Sequence, residues 1–272
     1  MNRSSLTSLA VFALATAACG PVVNSRGGVT QPAPVQLASA SAAQVDSLWQ
    51  RADDLFRHGK WGDAQTALER LNLEFAPGDP RIARSRFELA ECYLQGKSHL
   101  QAVREFRRVS DDQPDDALAP EALLRAGDAY TELWRRPELD PTYAQTAIQT
   151  YRELQTRYPG TAAARRSVGR IRALQDLLAF KQYQSGMYYV KYKAYDSAII
   201  YFKDLAATYP QAPITPTALL QLVDIYKLLG YQEDVNDTCG YLGRTAPTAP
   251  GVAAACPGPS APPTPVAPGA HG

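Results

Sequence analysis

The residues that could bind a phosphate group lie in an incomplete motif. Gly96, Lys97 and Ser98 match the end of a phosphate-binding loop. Such a loop needs a glycine five residues before Gly96 and a preceding strand, but Glu91 stands there and the surrounding pattern is helix–turn–helix. We interpret this segment as an ordinary turn between helices.

Acidic and nucleophilic residues give no stronger signal. Asp111, Asp112, Asp115 and Asp116 flank Pro114 without the spacing or the glycine of an EF-hand, and we interpret them as a solvated loop. The three histidines are isolated from each other and from any cysteine pair, and neither G-x-S-x-G nor H-E-x-x-H occurs. The sequence therefore predicts a protein that is not an enzyme, with no cofactor and no metal site.

The charge balance argues against nucleic-acid binding. The 272 residues include 28 Lys and Arg against 27 Asp and Glu, a net charge of +1, whereas nucleic-acid binders usually carry a basic excess. Hydrophobic residues make up 45% of the chain, enough for a sizeable core or an extended repeat array.

The amino terminus has the pattern of an export signal. Arg3 precedes an apolar run over residues 6–18 that is too short to span a bilayer, and Cys19 follows small residues. This resembles a bacterial lipobox, although Thr16 stands where that pattern usually has Leu. An ordinary signal peptide beside an incidental cysteine is the alternative.

The lipobox resemblance implies a membrane anchor. Residues 1–18 would be a lipoprotein signal peptide and Cys19 the lipidated residue. Residues 19–44 would be a flexible linker, since residues 20–43 hold one charged residue and no aromatic residue. Gly20 follows in place of Asp, as in lipoproteins that are sent on to the outer membrane. We therefore expect a chain held by lipid at the periplasmic face of the outer membrane.

The other three cysteines have no clear pairing in the sequence. We expect Cys92 and Cys239 to pack as apolar residues in helices. Export makes a disulfide chemically possible, and Cys256 could pair with any of them.

A helical pattern recurs five times between residues 45 and 246. In each copy a small residue is followed four and seven residues later by bulky apolar residues, and then by a helix-ending proline. The small residues are Ala64, Ala102, Ala147, Ala198 and Val235. The prolines are Pro77, Pro114, Pro159, Pro210 and Pro247. The helix before each of these has its own small residue, three positions before a bulky one: Ala52, Ala90, Gly127, Gly186 and Val223.

This pattern resembles the tetratricopeptide repeat, in which small residues allow close helix contact. It predicts an all-α fold, an α-solenoid of about five tetratricopeptide-like helix pairs. The third and fourth repeats are lengthened, by a loop containing Pro137 and Pro141 and by the helical segment 161–184. The segment 247–272 has eight prolines and no charged side chain, and we expect it to be a disordered tail.

The segment from Leu133 to Pro210 resembles the BamD family, the lipoproteins of the bacterial outer-membrane β-barrel assembly machinery. The matching features are the insertion RRPELDPT, the repeat end LQTRYP, the long helix ending at Ala179, and Tyr195 to Ala198. The resemblance implies a non-catalytic scaffold. Its implied partners are nascent outer-membrane proteins and a BamA-like assembly β-barrel protein with periplasmic domains.

Two sets of residues are candidates for partner binding. Counting from the small residues of the first helices predicts a peptide groove, and the groove residues are Trp49, Asp53, Phe56, Arg57, Arg84, Phe87, Glu91 and Leu94. The resemblance implies that this groove receives precursor proteins. It also implies that the carboxy-terminal repeats hold the assembly barrel, and the interface residues there are Tyr188, Tyr192, Lys193, Tyr195, Tyr201 and Lys203.

A second function remains open on the same fold. The chain could be a periplasmic repeat adaptor that coordinates envelope constriction or peptidoglycan synthesis. Relatives of that kind usually begin with a coiled coil, and residues 20–43 contain no heptads.

Overall fold

A computed structural model describes residues 41–136 and 140–256 of the chain. The described residues form eleven helices and no strand. The helices are α1 Ala42–Arg57, α2 Trp61–Glu74, α3 Ile82–Gln95, α4 His99–Asp112, α5 Ala119–Leu133, α6 Thr142–Arg157, α7 Ala162–Lys191, α8 Tyr195–Thr208, α9 Thr215–Leu229, α10 Gln232–Thr245 and α11 Val252–Ala255.

The first ten helices form five sequential pairs. Each helix packs against the helix before it and the helix after it, and the first helices of neighbouring pairs also meet, α3 with α5 and α5 with α7. A two-helix unit buries its apolar face only by stacking on neighbours. This arrangement confirms the predicted all-α solenoid of five helix pairs.

The helix ends follow local chemistry. Ser41 caps α1 in a capping box, in which its hydroxyl accepts from Gln44 N–H and the Gln44 side chain accepts from Ser41 N–H. The Thr161 hydroxyl accepts from Ala164 N–H at 3.2 Å and starts α7. Gly230 ends α9 with φ of 77°, a left-handed conformation that glycine adopts without strain.

The small residues allow neighbouring helices to pack closely, and at two positions an aromatic ring of the next helix fills the space of the missing side chain. Ala64, Ala102 and Ala198 are completely buried at helix crossings. At Gly127 an added Cβ atom would overlap the ring of Tyr151, and at Gly186 it would overlap the ring of Phe202. The third and fourth pairs therefore need glycine at these first-helix positions, because the neighbouring ring occupies the space of a side chain.

The lengthened fourth repeat is one 30-residue helix, α7. Leu174 and Leu178 pack into the core formed with α5 and α6, while Ala179 and Tyr183 pack into the core formed with α8 and α9. The helix thus belongs to two cores at once and joins the third pair to the fourth. It ends before a tight turn in which Lys193 has φ of 57°.

The ordered chain extends past both predicted boundaries of the repeat region. Helix α1 begins at Ala42, and residues 247–256, which we expected to be disordered, instead fold back onto the last pair. Val252 is buried in the core with α9 and α10, and Lys227 Nζ donates to Ala255 O at 2.6 Å. The prediction of a tail without folded structure from residue 247 is wrong for these ten residues, because their apolar side chains cover the exposed end of the array.

The cysteines also differ from the sequence prediction. Cys239, which we expected to pack as a free apolar side chain, forms a disulfide with Cys256, with a Cα–Cα distance of 5.3 Å. The disulfide ties α11 to α10. Cys92 is free and buried as expected, and burial raises the pKa of its thiol to about 12.

Several sequence predictions lie outside the described residues. These are the signal peptide 1–18, the lipidated Cys19, Pro137 in the inserted loop, and the tail 257–272. No helix within residues 41–136 and 140–256 is both long and apolar enough to cross a membrane.

Candidate partner-binding surfaces

Four tyrosines form a contiguous group on α7 and α8, which we call the tyrosine surface: Tyr188, Tyr189, Tyr192 and Tyr201. The ring centroids of Tyr188 and Tyr192 are 4.8 Å apart, and Tyr189 stacks on Tyr201 at 5.2 Å. Tyr188 and Tyr189 meet edge to face at 5.5 Å. Tyr188 and Tyr192 are 58% and 63% exposed, so two large rings that contact each other also face solvent.

The backbone near the turn between α7 and α8 positions this surface. Because Gly186 lacks a side chain, the ring of Phe202 approaches α7, and Tyr189 and Tyr201 are brought face to face. The side-chain hydrogen bond with Tyr201 raises the pKa of the Tyr189 hydroxyl above its ordinary value. The result is an ordered aromatic patch beside an open groove of about 340 Å³ that Lys181, Gln184 and Ser185 also line.

The structure sorts the six predicted interface residues. Tyr188, Tyr192, Lys193 and Lys203 are exposed, whereas Tyr195 is half-buried against the core. Tyr201 is half-buried in its stack with Tyr189. Tyr189, the bulky residue three positions after Gly186 in the repeat pattern, packs against the core as that pattern predicts, and it also forms the base of the exposed patch.

The first three pairs carry a different surface, a row of ion pairs that we call the acid–arginine ladder. Asp53 of α1 pairs with Arg84 of α3 at 2.6 Å, and Glu91 of α3 pairs with Arg125 of α5 through two bonds of 2.6 Å. Asp128 of α5 pairs with Arg170 of α7 at 3.2 Å. Each step joins the first helix of one pair to the first helix of the next.

The amino-terminal end of the ladder contains four of the eight predicted groove residues. Trp49 lies under Arg84, whose guanidinium carbon is 5.5 Å from the ring centroid. Asp53 is buried and also bonds Arg57, and both arginines are exposed. This end therefore offers two cationic side chains and one aromatic ring to a partner.

A buried carboxylate lies within this group. Glu88 accepts from Arg84 Nε at 2.8 Å through one oxygen, while its other oxygen is buried and has no hydrogen-bond partner among the described residues. Burial raises the pKa of Glu88, against the opposing effect of the Arg84 hydrogen bond.

Other predicted groove residues do not face a groove. Leu94 is buried in the core with α4 and α5, so its assignment to the groove is wrong. It is covered because a first helix inside the array has neighbours on both sides. Phe87 is half-buried against Phe106, with ring centroids 5.3 Å apart. Phe56 packs edge to face on Trp61 at 5.4 Å.

Sequence reasoning missed Glu88, Arg125, Asp128 and Arg170. A signal for part of the ladder was present, because the residue directly after the first-helix small residue is acidic in the first three pairs: Asp53, Glu91 and Asp128. Which arginine each acid would meet is not visible in the sequence, since the partners are 31, 34 and 42 residues away.

Within the described residues, no group of three or more His, Cys, Asp or Glu side chains is placed to hold a metal ion.

Comparison with known proteins identifies similar chains. Residues 41–240 match the family model described as "YfiO: Outer membrane lipoprotein". The outer membrane protein assembly factor BamD of Caulobacter vibrioides is 24% identical over 203 residues, which cover 75% of this chain and 66% of that protein. The BamD protein of Neisseria gonorrhoeae is 25% identical over 218 residues, covering 76% and 80%.

A solved structure shows a weaker likeness. The TPR domain of P58(IPK) aligns over 76% of this chain and 52% of that chain, with 16% identity and a TM-score of 0.43.

Proposed function

Because the chain belongs to the family of outer membrane lipoproteins matched over residues 41–240, we propose that it is a non-catalytic scaffold in the assembly of outer membrane proteins. The observation that carries the proposal is that this match spans almost all of the five helix pairs. The names of the relatives support the assignment, since they are assembly factors for outer membrane proteins.

The tyrosine surface would hold the assembly barrel through its periplasmic domains. Tyrosine is enriched at protein interfaces because it buries a large area at a low entropic cost. Tyr188 and Tyr192 are exposed and mutually packed, so docking would order few additional side chains. The exposed Lys193 adds a positive charge beside the patch.

The amino-terminal end of the ladder would receive precursor proteins. Trp49, Arg57 and Arg84 present an aromatic ring between two guanidinium groups, which suits an extended peptide with acidic or aromatic side chains. Because Asp53 already pairs with both arginines, a bound peptide would share these cations rather than meet free charges. Such sharing favours transient binding.

The barrel contact is tested by co-purification from detergent-solubilised outer membranes. Replacing Tyr188 and Tyr192 by alanine should abolish recovery of a large β-barrel protein with periplasmic repeats. The matched control is Tyr231→Ala, which removes an exposed tyrosine outside the surface and should leave recovery unchanged. Equal recovery with the double variant would disprove this role of the tyrosine surface.

The precursor contact is tested with a crosslinkable peptide from the end of an outer-membrane barrel protein. Trp49→Ala with Arg57→Glu should reduce the crosslinking yield by about tenfold. The control Arg104→Glu makes the same charge change at an exposed arginine of α4. If both variants lose the same yield, net charge rather than this site controls the contact.

We also propose that Cys19 carries the lipid that anchors the chain at the periplasmic face of the outer membrane. A Cys19→Ala change should release the protein from the membrane or leave the signal uncleaved, because an acyl chain contributes about 0.8 kcal/mol per buried CH₂. Membrane fractionation with carbonate extraction measures this. Retention equal to that of the unmodified chain would show that another feature holds it.

A further inference from the structure

A groove between the second helices α8 and α10 is open, whereas ion pairs bridge the corresponding groove between α4 and α6. Its volume is about 510 Å³, and its floor is formed by Leu219, Leu222 and Tyr226 of α9. All three floor residues are buried side chains of the core. The groove therefore leads from solvent to apolar atoms at the centre of the last two pairs.

The corresponding groove between α4 and α6 is bridged by ion pairs. Arg107 contacts Glu153 at 2.9 Å, and Asp111 contacts Arg157 at 2.8 Å. Arg157 also donates to the backbone carbonyl of Ser110. These contacts join the two second helices directly.

The bridging residues are replaced at the same repeat positions of α8 and α10. Counted from the small residues Ala102 and Ala198, Arg107 corresponds to Lys203 and Asp111 to Ala207. Counted from Ala147 and Val235, Glu153 corresponds to Tyr241 and Arg157 to Thr245. Both ion pairs that bridge α4 and α6 therefore have no counterpart here, and no ion pair joins α8 to α10 among the described residues. Because Ala206 and Ala207 are small, they leave room along the wall.

The rim of this groove carries two carboxylates that have no partner among the described residues. Asp234 and Asp237 both line it, and neither side chain makes an ion pair or hydrogen bond with another described residue. The single basic residue that lines it, Lys203, makes no ion pair with a described residue either. Burial, and to a smaller extent the negative charge of Asp234, raise the pKa of the Tyr226 hydroxyl at the floor of the groove.

We propose that the α8–α10 groove binds a basic segment of another protein. An apolar side chain of that segment would cover Leu219, Leu222 and Tyr226, and a lysine or arginine would lie beside Asp234 and Asp237. The groove is separate from the tyrosine surface, because Tyr201 and Lys203 are two residues apart on α8 and point to nearly opposite sides of the helix. The proposal goes beyond the proposed function and does not depend on it.

Charge complementarity selects this occupant over the chain's own tail. Residues 257–272 contain no Lys, Arg, Asp or Glu, so they offer the two carboxylates no cation near neutral pH. The tail also leaves from Cys256, which is tied to Cys239 on the core face of α10, whereas the groove is lined by Asp234, Asp237 and Thr238.

Fluorescence anisotropy with the purified full chain tests the proposal. The probe is a labelled peptide of about twelve residues, with leucines one helical turn apart and lysines beside them. A matched probe has glutamate in place of lysine. The lysine probe should bind and the glutamate probe should not. Equal binding of the two probes would overturn the proposal.

Substitutions locate the binding. Asp234→Asn with Asp237→Asn should weaken binding of the lysine probe by about fivefold to tenfold. The control Asp224→Asn, an exposed acid of α9 outside the groove, should leave it unchanged. Ala207→Trp should abolish binding by filling the groove, whereas Ala253→Trp on α11 should have no effect. The proposal fails if either groove variant binds like its control.

A restored bridge gives an independent test. Lys203→Arg with Tyr241→Glu recreates the Arg107–Glu153 pair at the same repeat positions and should close the groove, so binding of the probe should be lost while thermal unfolding stays cooperative. Unchanged binding of the probe would contradict the assignment of Lys203 and Tyr241 to the repeat positions of Arg107 and Glu153. Two other outcomes would identify a different occupant and overturn the proposal. One is displacement of the labelled probe by a peptide of residues 257–272, and the other is loss of probe binding when the chain self-associates.

Discussion

The first three helix pairs and the last two use the same repeat position in different ways. The residue after the first-helix small residue is Asp53, Glu91 and Asp128 in the first three pairs, and each carboxylate meets an arginine of the next first helix. In the fourth pair this residue is Met187, and in the fifth it is Asp224, which is exposed. The ladder ends where the tyrosine surface begins.

The second helices show the same change along the chain. Arg107 and Arg157 bridge α4 to α6, whereas α8 and α10 leave an open groove between them. The amino-terminal pairs thus join their charges to one another across the array. The carboxy-terminal pairs leave the rings of Tyr188 and Tyr192 exposed, and they leave Asp234 and Asp237 without an ion pair or hydrogen bond among the described residues. In a repeat array each pair contacts only its neighbours, so surface chemistry can change from pair to pair while the core stays the same.

The largest expected effect tests whether the two regions share an equally tight core. Phe106→Ala and Phe202→Ala should each lower the free energy of unfolding by about 3–5 kcal/mol, because both rings are completely buried. Urea unfolding followed by circular dichroism measures this, with the exposed Phe180→Ala as the control. A much smaller loss for Phe202→Ala would mean that the last two pairs are loosely packed, and the comparison would then concern stability as well as surface chemistry.

A reciprocal exchange tests the polar contact that separates the third pair from the fourth. Tyr151 donates its hydroxyl to Asp128 at 2.7 Å. In the fourth pair Phe202 stands at the repeat position of Tyr151, and Met187 stands at that of Asp128. Tyr151→Phe should cost about 1–2 kcal/mol of unfolding free energy. Phe202→Tyr should cost about 1–3 kcal/mol, because the buried hydroxyl would find no carboxylate there. If Phe202→Tyr were neutral, a partner for that hydroxyl would exist and the contrast would fail.

Removing a ladder arginine should have a smaller effect. Arg84→Ala deletes contacts to the buried carboxylates Asp53 and Glu88 and should cost about 1 kcal/mol, whereas Lys203→Ala should change stability by less than about 0.5 kcal/mol. Salt should reduce the Arg84 effect by screening. Equal costs for the two changes would show that the ladder does not stabilise the fold. Thermal unfolding at low and high salt makes the comparison.

The smallest effect is a change in the pH dependence of stability. Because burial raises the pKa of Glu88 above 4.5, the folded chain binds this proton more tightly than the unfolded chain. The contribution of Glu88 to stability is therefore fully present below pH 4.5 and is lost as pH rises through its folded-state pKa. Glu88→Gln should gain stability over the original chain only above pH 4.5. If the unfolding free energies of the original chain and of Glu88→Gln changed in parallel with pH, burial would not disfavour the charged form of Glu88.

Much of the fold could be predicted from local and periodic features. Small residues such as Ala102 and Gly186, and the prolines that follow each second helix, fix where helices cross and end. The continuous apolar spacing from Val168 to Leu178 predicts the lengthened helix α7. These features can be recognised in the sequence because they depend on residues within one or two helical turns of each other.

The candidate surfaces were only partly predictable. The repeat pattern gives Tyr188 and Tyr192 no packing position, and both residues are exposed in the structure. Leu94 was assigned to a groove by counting along one helix, but α4 and α5 cover it. The disulfide between Cys239 and Cys256 depends on a chain reversal after α10 that the proline-rich composition did not suggest.

The sequence by itself determined the repeat, the ends of the second helices and the closely packed glycine and alanine positions, because these depend on spacing along one or two helices. Only the tertiary structure decided which carboxylate meets which arginine, which groove stays open, and which tyrosines share one surface. Those outcomes depend on how helices cross, and the ladder partners, for example, lie 31, 34 and 42 residues apart in the chain. Four replacements separate the open groove from the bridged one: Lys203, Ala207, Tyr241 and Thr245 stand at the repeat positions of Arg107, Asp111, Glu153 and Arg157.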